Sequence, residues 1–223
     1  MNRKLLLNAV VKYLGGLVIL GLLIFVPAGT LKFGQGGLFM AVLFIPMLIM
    51  GLVMAVKDPE LLEKRLNGKE KENTQKAVVA LSALMFAGAF VMAGLSCRFG
   101  WLRLSFGGSI AAAVVFLAGY AMYGEVLREN AYLSRTIEVQ EGQQVVDTGL
   151  YGVIRHPMYT ATILMFMAAP LVLGSWISFV ICLIYPAAIA ARIGNEEKVL
   201  EEGLKGYTEY KQKVRYRLVP FIW

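Results

Sequence analysis

The chain is poor in the residues that build soluble redox and metal centres. It has one histidine and two cysteines in 223 residues. A single histidine, His156, excludes a bis-histidine haem or a site built from several imidazoles within one chain. Cys97 and Cys182 lie far apart, in or beside apolar stretches, and form no C-x-x-C pair. Neither a disulfide framework nor a zinc ribbon follows, and no metal site is expected. Charge is scarce too. Asp, Glu, Lys and Arg make up 17% of the chain, where a soluble domain carries about 25%. Apolar residues fill the gap at 58%, above the roughly 45–50% of soluble proteins. That excess excludes a soluble globular enzyme and a disordered chain, and it makes lipid the solvent for much of the molecule. There is no internal repeat and no low-complexity segment. The net charge of +7 reads as basic loops at one membrane face rather than as a nucleic-acid surface.

A membrane-spanning helix needs roughly 20 mostly apolar residues. Four runs meet this: Leu5–Val26, Gly36–Val56, Ala77–Cys97 and Ser109–Leu127. The first is too long for a signal-peptide core and lacks a cleavage site, so it is expected to be retained. After a polar stretch, Arg128–His156, come two shorter runs, Pro157–Leu173 and Trp176–Ala191, separated by Gly174 and Ser175. This spacing predicts a tight helical hairpin. The fold class expected is all-α: a polytopic integral membrane protein of about six spans, ending in a hairpin and a charged, mostly helical tail, Arg192–Trp223.

An even number of spans places both termini on one side. The loops on that side carry eighteen Lys and Arg residues, the opposite loops only Lys32, Arg98 and Arg103. Lys12 lies inside the first span and can snorkel. The positive-inside rule then makes both termini and the long polar segments cytoplasmic, in a multi-pass protein of the plasma or inner membrane. Within the loop at 57–76, Asp58 before Pro59 predicts a helix start. Leu61, Leu62 and Leu66 can form one stripe, as in a short helix lying on the membrane surface; the alternative is a solvated connector.

The polar residues gather in two clusters. The first, Asp147–Tyr159, ends in Arg155-His156-Pro157-Met158-Tyr159. Pro157 is placed to open the fifth span, which sets Arg155 and His156 at a helix N-terminus. The helix dipole disfavours cations there, and an anion between them repairs this. The plainer alternative is a lipid phosphate on Arg155 and a helix-capping His156. The second cluster is Arg192-Ile193-Gly194-Asn195-Glu196-Glu197. Arg192 and Glu196 share a helix face and Glu197 lies one step round. Taken alone, it is an ordinary ion pair at the membrane boundary. Gly206-Tyr207, Tyr210 and Val214–Trp223 follow, and their aromatics equally fit an interfacial belt.

Taken together, Gly-x-Tyr-x-x-x-Arg-His-Pro-x-Tyr, two short apolar helices, Arg-x-x-x-Glu-Glu and Gly-Tyr-x-x-Tyr resemble the isoprenylcysteine carboxyl methyltransferase family. The superfamily also includes phospholipid N-methyltransferases. The resemblance runs from about Glu138 to the C-terminus, and the 59–66 stretch is similar to one in bacterial members, so a bacterial or archaeal type is implied. It implies a membrane methyltransferase dependent on S-adenosylmethionine, with residues 1–127 as transmembrane helices and 128–223 as the catalytic region. Carried over by position, Gln144, Val145, Val146, Tyr151, His156, Pro157, Met158, Tyr159 and Glu196 line the cofactor. Arg192 matches a substrate-side arginine, with Glu197 and Arg155 as neighbouring catalytic candidates. Leu150 departs from the proline that many relatives carry, which predicts a slightly looser turn.

The residue types suit that chemistry. Methyl transfer from a sulfonium needs alignment above all. A helix N-terminus with Arg155 or His156 suits a carboxylate, Glu196 suits an ammonium or ribose hydroxyl, and tyrosine faces suit a cation. Arg192 suits a substrate carboxylate or phosphate. A carboxylate nucleophile needs no base, and for an amine, hydroxyl or thiol Glu197 is the candidate base. The acceptor is expected to be lipophilic, isoprenylcysteine-like or another lipid, with membrane lipids as neighbours. Two other readings remain. The basic stretch Val214–Pro220 also resembles sterol reductases, which use NADPH. A small transporter or scaffold requires charges buried within the spans, and only Lys12 is charged inside one.

Overall fold

The computed structural model describes residues 3–66, 73–133 and 139–223, the side chains of 73–78 excepted. Arg135, Glu138 and the 67–72 part of the cytoplasmic loop therefore lie outside the described residues. The protein is an all-α polytopic membrane protein. Among the described residues, five helical stretches are long and apolar enough to cross a bilayer. They are α1 (Arg3–Ala28), α2 (Gly34–Lys57), Val79–Phe99 within α4 (Asn73–Phe99), α5 (Phe106–Glu129), and Trp176–Gly203. The sixth apolar segment, α6 (Pro157–Val172), has 16 residues. At 1.5 Å per residue it is about 24 Å long, short of the roughly 30 Å hydrocarbon core.

Helix α3 (Pro59–Leu66) starts where the Asp58–Pro59 pair predicts. The Asp58 carboxylate accepts the Leu61 N–H at 3.0 Å, satisfying one of the orphan donors of a helix start. Leu61 and Leu62 are buried, and Leu61 packs with Val126 and Leu127 of α5. This differs from the surface-lying helix predicted above: part of its apolar stripe is covered by the protein's own helices.

The last apolar run also differs from the single arm expected. It forms α7 (Trp176–Cys182) and α8 (Ile184–Gly203), divided at Leu183. Pro186 explains the division, because it has no N–H for the Cys182 carbonyl four residues back and its ring crowds that carbonyl. Beyond the division α8 continues past Ala191 to Gly203, so Arg192, Glu196 and Glu197 ride on the same helix as the apolar arm. After α9 (Tyr207–Lys213) comes a tail that turns back on itself, where the Arg217, Leu218 and Val219 N–H groups donate to the Trp223 carbonyl.

The core joins both halves of the chain. Ile24 of α1, Phe39 of α2, Phe116 of α5 and Val172 of α6 are almost completely buried in one cluster. Helix α5 runs against α6, and the closeness depends on Gly119. A Cβ there would meet Met165 Cγ at 2.9 Å and the Ala161 carbonyl oxygen at 3.1 Å. In lipid, helices associate by such close packing because burial of apolar surface offers little drive. At one end of the bundle, buried Gln35 locks the loops together. It donates to the Leu104 carbonyl (3.0 Å) and Ser109 Oγ (2.7 Å), and accepts from Arg103 (2.6 Å). At the other end, Leu61, Val126, Leu127, Leu133 and Tyr151 cluster with Met50, Met54 and Met158. The candidate site is built on that second end.

Candidate active site

The foot of α5 starts the site. Its carboxylate Glu129 accepts the Leu150 N–H at 3.0 Å. This anchors the 3-10 turn Gly149–Gly152 directly under α5. Leu150 was the expected weak point of the turn, yet its N–H, which a proline would lack, is what fastens it. Gly149 has φ +51°, and a Cβ there would lie 1.4 Å from Glu129 Oε1, so the anchor and the glycine require each other. Asn130 caps α5 and donates to the Tyr151 hydroxyl at 2.9 Å. From α9, the Tyr210 hydroxyl donates to the Tyr151 carbonyl at 2.8 Å. Tyr151 is thereby held from two sides.

Arg155 and His156 precede Pro157 at the start of α6, as the sequence predicts. Their N–H groups donate to the Tyr216 and Arg217 carbonyls of the tail, both at 2.9 Å. The Arg155 side chain is buried and held through Nε and Nη1: Nη1 donates to the Val214 and Arg215 carbonyls, both at 2.8 Å, and Nε to Glu197 Oε1 at 2.8 Å. His156 Nε2 lies 3.2 Å from the same Glu197 oxygen, and its side chain makes no capping hydrogen bond. Arg217 reaches Glu197 Oε2 with two donors, at 2.7 and 3.0 Å. The anion that repairs this helix N-terminus is thus the protein's own Glu197 carboxylate. This corrects the two alternatives drawn from the sequence, a lipid phosphate on Arg155 and a capping imidazole.

Glu197 is buried, at 3% exposure, and stands behind the pocket rather than in its wall. It ties α6, α8 and the tail together. The Glu196 carboxylate sits on the open side. It accepts the Tyr159 hydroxyl proton, and Arg192 Nε donates to that same hydroxyl at 2.9 Å. His156 Nδ1 lies 3.9 Å from Glu196 Oε1.

These parts wall an open pocket with both polar and apolar lining, as small-molecule sites have. Ten of the twelve residues singled out from the sequence line it: Gln144, Val145, Val146, Tyr151, Arg155, His156, Met158, Tyr159, Arg192 and Glu196. Pro157 and Glu197 do not. The pocket also takes in Asn130, Tyr132, Leu133, Gln143, Leu200 and Leu204, which sequence reasoning missed. Asn130, Tyr132 and Gln143 sit in a polar connector with no periodicity to mark them. Tyr207 and Tyr210 line it too, so these tyrosines serve a pocket rather than an interfacial belt.

One wall atom is unsatisfied. The Tyr207 hydroxyl is buried and has no hydrogen-bond partner among the described residues. Burial and the nearby Glu197 and Glu196 carboxylates push its pKa well above the ordinary tyrosine value. Burial does the same for Tyr151 and Tyr210. All three stay protonated at neutral pH, and Tyr207 keeps a buried hydroxyl with no partner among the described residues.

Two similarities bear on this geometry. The chain is 28% identical over 91 residues to Delta(14)-sterol reductase TM7SF2 of Mus musculus, a stretch covering 40% of this chain and 22% of the relative. The chain thus matches about a fifth of that protein's length. Residues 102–205, just under half of the chain, match the family model described as phospholipid methyltransferase. That match contains α5, the 3-10 turn, α6, α7, α8 and most of the pocket lining, and it supports a membrane methyltransferase.

Proposed function

We propose that this pocket binds S-adenosylmethionine and that the protein transfers a methyl group to a lipophilic acceptor. The observation that carries the reading is convergence: residues 144–146, 151–159 and 192–196, separate in sequence, meet in one pocket inside the segment matching the methyltransferase family. When bound, the cofactor supplies a methyl group already activated on a sulfonium. The chain's part is therefore to hold and align.

The residues present fit such a group. Glu196 has one carboxylate oxygen on Tyr159, leaving the other to take an ammonium or ribose hydroxyls. The rings of Tyr151, Tyr159 and Tyr207 offer faces suited to a cation or an adenine. Asn130, Gln143 and Gln144 bring amide groups that can pair with a base edge. The unsatisfied Tyr207 hydroxyl awaits one more polar partner. Arg192, beside Tyr159, would hold an anionic group of the acceptor as a bidentate fork. Glu197 is less suited to act as a base: two arginines and His156 surround it and hold its lone pairs. Its role is to position the walls. Arg155 acts with it, through its bonds to the tail.

The similarity to the sterol reductase favours a second reading, an NADPH-dependent membrane enzyme. Calorimetric titration of the detergent-solubilised protein separates them. S-adenosylmethionine should bind in the micromolar range and lose at least about tenfold in affinity, near 1.4 kcal/mol, in Glu196→Ala. Binding of NADPH instead would favour the reductase, and binding of neither would reject both. Incubation with methyl-labelled S-adenosylmethionine and fractionated membrane lipids then identifies the acceptor.

A further inference from the structure

We propose a second binding site, for the phosphate of a lipid headgroup, where α1, α3 and α5 meet beside Arg65 and Lys12. It stands apart from the pocket described above and does not depend on methyl transfer.

Arg65 lies four residues after Leu61 and so on the same face of α3. That is the buried face, which turns the guanidinium toward the bundle. One of its terminal nitrogens donates to the Tyr123 hydroxyl, and its central carbon lies 5.4 Å from the Tyr123 ring centroid. The other terminal nitrogen, Nη1, is buried and has no hydrogen-bond partner among the described residues. A buried N–H left unpaired is costly and rarely tolerated. From α1, the exposed Lys12 ammonium donates to the Leu66 carbonyl at 2.5 Å, which caps the C-terminal end of the same short helix.

Neither cation has a carboxylate partner among the described residues, and the neighbouring acids are engaged elsewhere. Glu60 pairs with Lys64 at 3.1 Å, Glu125 with Arg128, Glu129 takes the Leu150 N–H, and Asp58 takes that of Leu61. Glu63 is exposed on another face of α3. Two cations are thus left at the C-terminal end of α3, the short helix that follows directly where α2 leaves its apolar run at Lys57. At that depth the abundant anion is the lipid phosphate. An arginine already anchored through one nitrogen, with a second donor spare, suits a phosphate oxygen, and a lysine beside it adds a point charge.

The test uses the full chain in a neutral detergent and native mass spectrometry. Dioctanoyl phosphatidic acid is compared with dioctanoylglycerol, which lacks the phosphate, and with inorganic phosphate, which lacks the chains. The phosphate-bearing lipid should be retained about tenfold better than the neutral one. Arg65→Gln should remove about tenfold of that retention, the effect of one charge-assisted contact. Arg103→Gln, at the far end of the bundle, should leave it unchanged. If Arg65→Gln does not fold, Arg65→Lys keeps the charge but cannot serve Tyr123 and a phosphate together, and it should still weaken retention. Equal retention of the two lipids, full competition by inorganic phosphate, or unaltered binding in the Arg65 variants would each overturn the proposal.

Discussion

Two adjacent glutamates in α8 illustrate how far neighbouring residues can differ in task. Glu196 and Glu197 are equivalent in sequence, and both were assigned to the chemistry from the motif alone. A helix step of 100° sends Glu197 into the protein, where Arg155, His156 and Arg217 enclose it, and leaves Glu196 facing the pocket. Its partners Arg155 and Arg217 lie 42 and 20 residues away, so nothing local in the sequence reveals its burial. The two should separate by experiment. Glu197→Gln leaves two arginines without their anion, and breaking such a buried pair costs about 3–5 kcal/mol, read as a lowered unfolding midpoint. Glu196→Gln should leave that midpoint within about 0.5 kcal/mol, as a change outside the core does, while weakening S-adenosylmethionine binding. If both variants shift the same property, the division of labour is wrong.

At the scale of elements, the apolar runs were legible from hydropathy alone. The helices of the first four runs, α1, α2, α4 and α5, extend two to four residues beyond their runs at one or both ends, because a helix continues into the interface past the point where its hydropathy falls. The division of α7 from α8 was not read, although Pro186 signals it, because the run around it stays apolar. The 3-10 turn at Gly149–Gly152 shows a different limit. Its glycine was visible in the motif, but its reason, Glu129 lying where a Cβ would go, comes from a helix twenty residues earlier. Gly149→Ala should therefore destabilise by about 1–3 kcal/mol, through both its positive φ and the collision. Removing the carboxylate in Glu129→Ala should relieve only the collision. A double-mutant cycle by denaturant unfolding should show a coupling of at least about 0.5 kcal/mol. Strict additivity would mean that the turn and α5 do not depend on each other.

For the whole molecule, the decisive question is whether the short α6–α7 hairpin crosses the membrane or turns back within it. Its first arm, α6, has the length of a partial insertion, but its tip does not behave as one. The Leu104 N–H donates to the Gly174 carbonyl at 2.9 Å and the Trp176 N–H to the Leu102 carbonyl at 3.1 Å, so the tip is joined to the loop between α4 and α5. That loop lies at the Gln35 end of the bundle, opposite the pocket. The hairpin therefore runs the full height of the bundle, and a bilayer locally thinned around it would accommodate the short α6 arm at modest cost. Six crossings would put the N-terminal end of α1 and the tail on the pocket side. The described loops at the Gln35 end carry only Lys32, Arg98 and Arg103, so the positive-inside rule predicts a cytoplasmic pocket. There a water-soluble cofactor can reach it while a lipid acceptor arrives from the bilayer. Reporter fusions test this directly. A fluorescent protein joined after Trp223 should fold and fluoresce, and alkaline phosphatase joined after Thr30 or Trp101 should be active, as it is only outside the cytoplasm. An active phosphatase after Trp223 would mean that the hairpin crosses only once, and the pocket would then face the wrong compartment for its cofactor; an inactive phosphatase joined after Ser175, at the tip, would mean that the hairpin turns back within the membrane.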